Sequence, residues 1–413
     1  MEIKYTNPQW VEKVLQDTNG FTKPAIYKDF FDEKLLSQLD IANLINSVIE
    51  KKPRDNIRVY IHGGRRHDYE YKLFKTPLKE NETIQNWAEN LVEHDDFFVL
   101  LSQVGSFNDS IVQKLASHFL PLFQATGIPA DGLHASVILG KYKNTPFGAH
   151  QDDNRQCVFH YHLGPGTKEM YIWEVEEFQK LTGSSDSFFN PEKIKTYAQI
   201  FPIEPYNFFV LPVKLYHVGL PKAFSISLVV NFMTITPDQY IKKAFYESYK
   251  SLWINKKDNQ PFSEDPENIL ENIFLQKEWD LSFLLRNDRT LKYYLEESIE
   301  NKKLSIISNL GFNGSPQQRT DEIKNFTNKQ IKIVPPFSIY YRINGENILV
   351  FTRGNSLSMT FDSSIPKIIE KLNGNKSYDL QELFSPLLQN NKTIGMQLLN
   401  FLYKNLGVNI QEA

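Results

Sequence analysis

The pair His150-x-Asp152, answered by a histidine at position 217, constrains this chain more than any other feature. Two imidazoles and one carboxylate are the ligand set of a non-haem Fe(II) site, with three protein ligands on one face of the metal and the opposite face open. A His-x-Asp triplet alone carries little, so its surroundings matter. His150 and Asp152 lie two apart, and on a strand end both side chains leave the same face and can converge on one ion. His217 follows the apolar run Phe208-Phe-Val-Leu211, which the pattern predicts as a buried strand. The stretch Ser225-Ile-Ser-Leu-Val-Val-Asn-Phe232 alternates like an antiparallel neighbour.

Further segments fall into line with these. Gly148-Ala-His150-Gln-Asp152 is followed by Val158-Phe-His-Tyr-His-Leu-Gly164, Gly166-Thr-Lys168, Tyr216-His217 and Val230-Asn231-Phe232. Together they resemble the core of the JmjC (Jumonji-C) cupin oxygenases over roughly residues 95–235. The resemblance implies a double-stranded β-helix, the cupin form of jelly roll, and a chemistry of Fe(II), 2-oxoglutarate and O2. It implies His150, Asp152 and His217 as metal ligands. Lys168, eighteen residues after His150, matches the family lysine that pairs with the far carboxylate of 2-oxoglutarate. Asn231, fourteen after His217, matches a polar position on the last core strand. Physics supports the lysine independently, since a buried dicarboxylate needs a cation at its distal end. A solvated surface lysine is the plainer alternative.

The other histidines divide. His160 and His162 alternate on one strand face; His160 is a candidate neighbour of the cosubstrate, and His162 is expected to be structural. Asp153 is an alternative carboxylate whose parity points it away from His150. His62 and the run Gly63-Gly-Arg-Arg-His67 read as a solvated loop, with a surface anion site as the alternative. His94, His118 and His134 are expected to be structural.

Composition narrows the class. At 413 residues the chain is long for one core. The single cysteine, Cys157, excludes an intramolecular disulfide and a Cys-rich zinc site, which fits a reducing cytoplasm. Neither a signal-peptide core nor a run of membrane-spanning length is present. Net charge is −3 with acids and bases interleaved, so no nucleic-acid partner is expected.

The expected organisation is α+β. Residues 1–95 supply helices and a few strands that pack on the core, residues 96–236 form the cupin core, and 237–311 a helical, possible dimerisation segment. Residues 312–330, rich in Asn, Gln, Thr and Lys, read as a linker, and 331–413 as a module of three strands then three helices. That order looks like a winged helix. Bacterial JmjC ribosomal-protein oxygenases carry such a module, and peptide-recognition elements of ribosomal peptide biosynthesis share its fold. Residues 178–197 are a candidate lid or substrate loop.

These features imply an oxygenase hydroxylating a side chain of a protein or peptide, such as a ribosomal protein or a precursor peptide. Hydroxylation of a small molecule, demethylation, a different metal chemistry without 2-oxoglutarate, and a non-catalytic cupin scaffold are the alternatives.

Overall fold

The structure is a computed structural model that describes residues 9–143, 145–152, 156–212, 214–254 and 291–412. Asp153 and residues 255–290 of the expected helical segment lie outside these. The chain divides into two compact units, Met1–Thr234 with Ser305–Ala413, and Ile235–Leu304.

The first unit mixes helices with antiparallel sheets. Among the described residues up to Thr234 the strands are β1 Ala25–Tyr27, β2 Ile57–Ile61, β3 Gly64–Arg65, β4 Phe97–Leu101, β5 Leu133–Lys141, β6 His150–Gln151, β7 Gln156–Pro165, β8 Lys168–Trp173, β9 Gln199–Ile203, β10 Phe208–Leu211, β11 Tyr216–Pro221 and β12 Ser225–Met233. They form an eight-stranded sheet, β1-β10-β7-β12-β5-β4-β2-β3, and a four-stranded sheet, β6-β11-β8-β9. All pairings are antiparallel. β12 is antiparallel as expected but is not the neighbour of the Phe208–Leu211 strand: it sits centrally between β5 and β7, and β7 lies between it and β10.

One face of the large sheet is sealed by helices. The helix Asp109–Thr126 buries Ile111, Leu115, Phe119 and Leu122, at helical spacing, and starts on an Asn108 side chain that accepts from the Ile111 amide. Phe119 meets Phe159 of β7 and Phe232 of β12 edge to face. The other face is lined by Val158, Phe209 and Val229, which cluster with Met170 and Ile172 of the small sheet. The two sheets therefore enclose an interior between them.

The candidate lid is anchored rather than loose. Its helix, Val175–Thr182, buries Phe178, which stacks on Tyr216 with centroids 3.7 Å apart. Ile194 joins the same cluster, and Phe188 exchanges two 2.8 Å backbone hydrogen bonds with Ala149. Of its large hydrophobic side chains, Phe189 and Tyr197 stand exposed.

Residues 312–330 do not behave as a linker. Phe312 is buried and bridges Leu133, while the Asn313 amide donates to the Leu133 carbonyl. Arg319 donates to the carbonyls of Tyr403 and Val408, and Ile323 and Phe326 enter the C-terminal core. Polar composition predicts a loop here, but side-chain hydrogen bonds and spaced apolar anchors hold the segment down. Strand β13, Lys329–Ile333, follows at once and pairs with a last strand, β18 Val408–Glu412, neither of which was expected. Between them come β14 Tyr340–Asn344, β15 Asn347–Thr352, β16 Asn355–Thr360 and the short β17 Tyr378–Asp379. The expected second and third helices are one element, Leu380–Lys404, kinked at Asn391. The Asp379 side chain caps it by accepting from the Glu382 amide.

In the second unit, described by itself, Tyr240 donates its hydroxyl to the Ile299 carbonyl and lies under the Lys302 ammonium. Among the described residues no helix is long and apolar enough to cross a membrane.

Candidate metal centre

The small sheet places His150 opposite His217. β6 and β11 pair in the register Tyr216 to Gln151 and His217 to His150, so both imidazoles project from one face. Asp152 follows at the end of β6. Its carboxylate lies 3.5 Å from His150 Nε2 and 3.8 Å from His217 Nε2. The three donor atoms fall within 4.8 Å of one another, and among the described residues no other group of three His, Cys, Asp or Glu does so. Ligands about 2.1 Å from one ion stand about 3–4 Å apart, so the set fits a single small cation.

Backbone carbonyls fix the tautomers. His150 Nδ1 donates to Gly148 at 3.0 Å and His217 Nδ1 to Leu215 at 3.3 Å. A carbonyl can only accept, so each ring carries its proton on Nδ1 and turns the Nε2 lone pair toward Asp152. Burial pulls the His150 imidazole down, but the Asp152 carboxylate and the Gly148 carbonyl outweigh it and the net shift is upward. The more deeply buried His217 is pushed down to about 4, with Asp152 opposing. Burial raises Asp152, and the two imidazoles more than reverse this, holding it below the usual carboxylate range.

Behind the donors is a cavity of about 230 Å³ lined by residues of both sheets. All six residues singled out in the sequence line it: His150, Asp152, His217, Lys168, His160 and Asn231. Lys168 is not a surface lysine, being only 3% exposed. Its ammonium faces the Tyr142 ring at 5.9 Å and has no acidic partner among the described residues. Burial without a counter-charge pushes it down to about 8. His160 is equally enclosed, its imidazole held far below the usual range by burial and then by Lys168, and its Nε2 has no hydrogen-bond partner among the described residues. His162 faces the same way but is used structurally, bonding Ser227 Oγ and the Gly166 carbonyl.

Tyr142 is the residue that sequence reasoning missed. Its ring lines the cavity and its buried hydroxyl has no hydrogen-bond partner among the described residues. Nothing in its local pattern separates it from the chain's nineteen other tyrosines. With Tyr60, Phe98 and Phe147 it forms an aromatic wall that reaches the His150 ring. Elsewhere His118 stacks on Trp10 at 4.7 Å and His134 meets Asn313, whereas His94 is exposed. The 62–67 loop is exposed, and its arginines pair locally with Glu70 and Asp68.

Two imidazole nitrogens and a carboxylate converge at a buried cavity beside a lysine with no acidic partner among the described residues, in a fold of mixed helices and antiparallel sheets, and the three donors could hold one metal ion. The particular likeness is to YcfD of Escherichia coli, described as a ribosomal oxygenase. One crystal structure of it aligns with a TM-score of 0.53 at 13% identity, covering 97% of this chain and 98% of that one. Structures of YcfD with cobalt and succinic acid and with cobalt and 2-oxoglutarate both align at 0.51 and 12% identity, with the same coverage. At this identity the likeness is one of fold, and in fold it bears out the resemblance drawn from the sequence. No family model and no curated protein matches the sequence.

Proposed function

We propose that the protein is an Fe(II)- and 2-oxoglutarate-dependent oxygenase that hydroxylates a side chain of a protein or peptide. The observation that carries this is the shared cavity: a three-donor metal set and the unpaired ammonium of Lys168 both face it. A metal centre that did not take a dicarboxylate would have no use for a buried cation, which is costly without an anion. The two sheets around the cavity are read as a double-stranded β-helix, and residues 331–413 as winged-helix-like.

His150 and His217 would hold the metal through Nε2 and Asp152 through its carboxylate. Lys168 would pair with the far carboxylate of 2-oxoglutarate, with His160 and Asn231 beside it. When bound, Fe(II) and 2-oxoglutarate supply the activation of O2, with 2-oxoglutarate going to succinate and carbon dioxide. The chain supplies orientation, and the wall of Phe98, Tyr142 and Phe147 keeps water from the reacting face. The fold shared with a ribosomal oxygenase favours a polypeptide substrate. The helices of Ile235–Leu304 are a candidate for pairing with a second copy.

The test incubates the protein with Fe(II), 2-oxoglutarate and O2, together with ribosomal proteins, precursor-type peptides or free amino acids. Succinate should form in step with the gain of one oxygen by a polypeptide. Oxygen added only to a small metabolite would replace the polypeptide reading. Failure to bind 2-oxoglutarate in the presence of the metal would overturn the oxygenase assignment.

A further inference from the structure

We infer that Gly219 is a positioning residue that sets how far the Lys168 ammonium reaches toward the metal ligands. The inference rests on the reading of Lys168 as the cosubstrate anchor. Gly219 lies in β11 two residues after His217, so both positions face the cavity, and both line it. Lys168 pairs across the sheet with Pro221, which makes Gly219 its diagonal neighbour on the His217 side. A Cβ built on Gly219 would stand 2.7 Å from Lys168 Cε, 3.4 Å from Nζ and 3.2 Å from Met170 Cε. The lysine stem therefore lies flat over the bare backbone at 219, aimed along the strand toward His217.

The glycine is not there for its backbone. Its φ is outside the left-handed region, so any residue could adopt its conformation. A glycine in a strand interior otherwise weakens the strand, and one without a turn or bulge marks a close approach. Here the approaching group is the one buried cation of the cavity. Because the clashing atoms are the far end of a flexible side chain, a methyl at 219 should displace the ammonium rather than unfold the protein. Met170 and the Tyr142 ring leave the lysine little alternative room.

The experiment is anaerobic titration of 2-oxoglutarate into the Co(II)-loaded full-length chain. Gly219→Ala should raise the 2-oxoglutarate Kd about tenfold or more, with Co(II) affinity within about twofold of the parent. In a Lys168→Ala background the same substitution should change the 2-oxoglutarate Kd by less than about twofold, because the displaced group is gone. If Gly219→Ala fails to fold alone, Lys168→Ala should restore folding by removing the clash. A Kd unchanged by Gly219→Ala but weakened by Lys168→Ala overturns the role of Gly219 and leaves the anchor intact. A Kd unchanged by Lys168→Ala overturns both. Equal losses from Gly219→Ala with and without Lys168, or a double variant that stays unfolded, would make the glycine structural only.

Discussion

At the scale of single residues, the proposed metal ligands and the proposed cosubstrate anchor are held by separate contacts. His150 and His217 each present Nε2 because Nδ1 is tied to a carbonyl. Replacing either with alanine leaves two donors, too few to hold a hard divalent ion well. Both variants should lose stoichiometric Fe(II) or Co(II) binding in equilibrium dialysis, and metal retained by a His150→Ala, Asp152→Ala, His217→Ala protein would place the centre elsewhere. Lys168 invites the opposite test, of stability. Its folded pKa of about 8 lies below the ordinary 10.5, so between these values the folded state binds fewer protons than the unfolded. The burial penalty is therefore carried in full below about pH 8 and relieved as pH climbs toward 10.5. At about 1.36 kcal/mol per unit, Lys168→Met should stabilise the ligand-free protein by about 3 kcal/mol at pH 7. The gain should shrink toward pH 10.5 in urea titrations, and the variant should bind 2-oxoglutarate poorly. A destabilised Lys168→Met protein would mean that the ammonium has a partner within the fold.

At the scale of elements, what the sequence disclosed and what it withheld have a physical pattern. Strands around the site were legible from local pattern: Phe208–Leu211 falls where its apolar run puts it and Ser225–Met233 where its alternation does. All six site residues reach one cavity because parity along a strand decides which face a side chain takes. The partner of each strand was not legible. Residues 329–333 meet 408–412 across the length of the C-terminal module, and local composition does not encode such a pairing. The 178–197 segment shows the same limit, since its polarity reads as a lid while its energy lies in a few buried residues. Phe178 is fully buried against Tyr216, the neighbour of His217, and Phe188 is bonded to Ala149, the neighbour of His150. Phe178→Ala should cost about 3–5 kcal/mol of stability. It should also weaken metal binding, because the backbone beside both imidazoles loses its cover. Denaturant titration and metal titration on the same sample test the pair, and a stability loss with unchanged metal affinity would separate the segment from the site.

At the scale of the whole molecule, the C-terminal module belongs to the first unit through particular bonds. Arg353 is fully buried, packs over Phe337 at 3.6 Å, and donates to Asn309 Oδ1 at 2.9 Å and to Asp109. Asp109 opens the helix whose Phe119 packs on β7 and β12, so the ion pair links the module to the support of the large sheet. Val334 and Phe337 sit in the same hydrophobic cluster as Phe159 and Phe232. A chain ending near Lys329 would strip out those side chains and leave Asp109 without its guanidinium. It should therefore fail to give a folded metal-binding core. The milder change, Arg353→Ala, removes one partner of a buried pair and should cost about 3–5 kcal/mol. Because Asp109 is partly exposed and lies in the first turn of its helix, where a negative charge is favourable, the lower end of that range is expected. Arg353→Ala should leave the Co(II) Kd unchanged in conditions where the protein remains folded. A truncated chain that binds Co(II) like the full one, with a cooperative unfolding transition of its own, would make residues 331–413 a separable module whose contacts with the core are incidental.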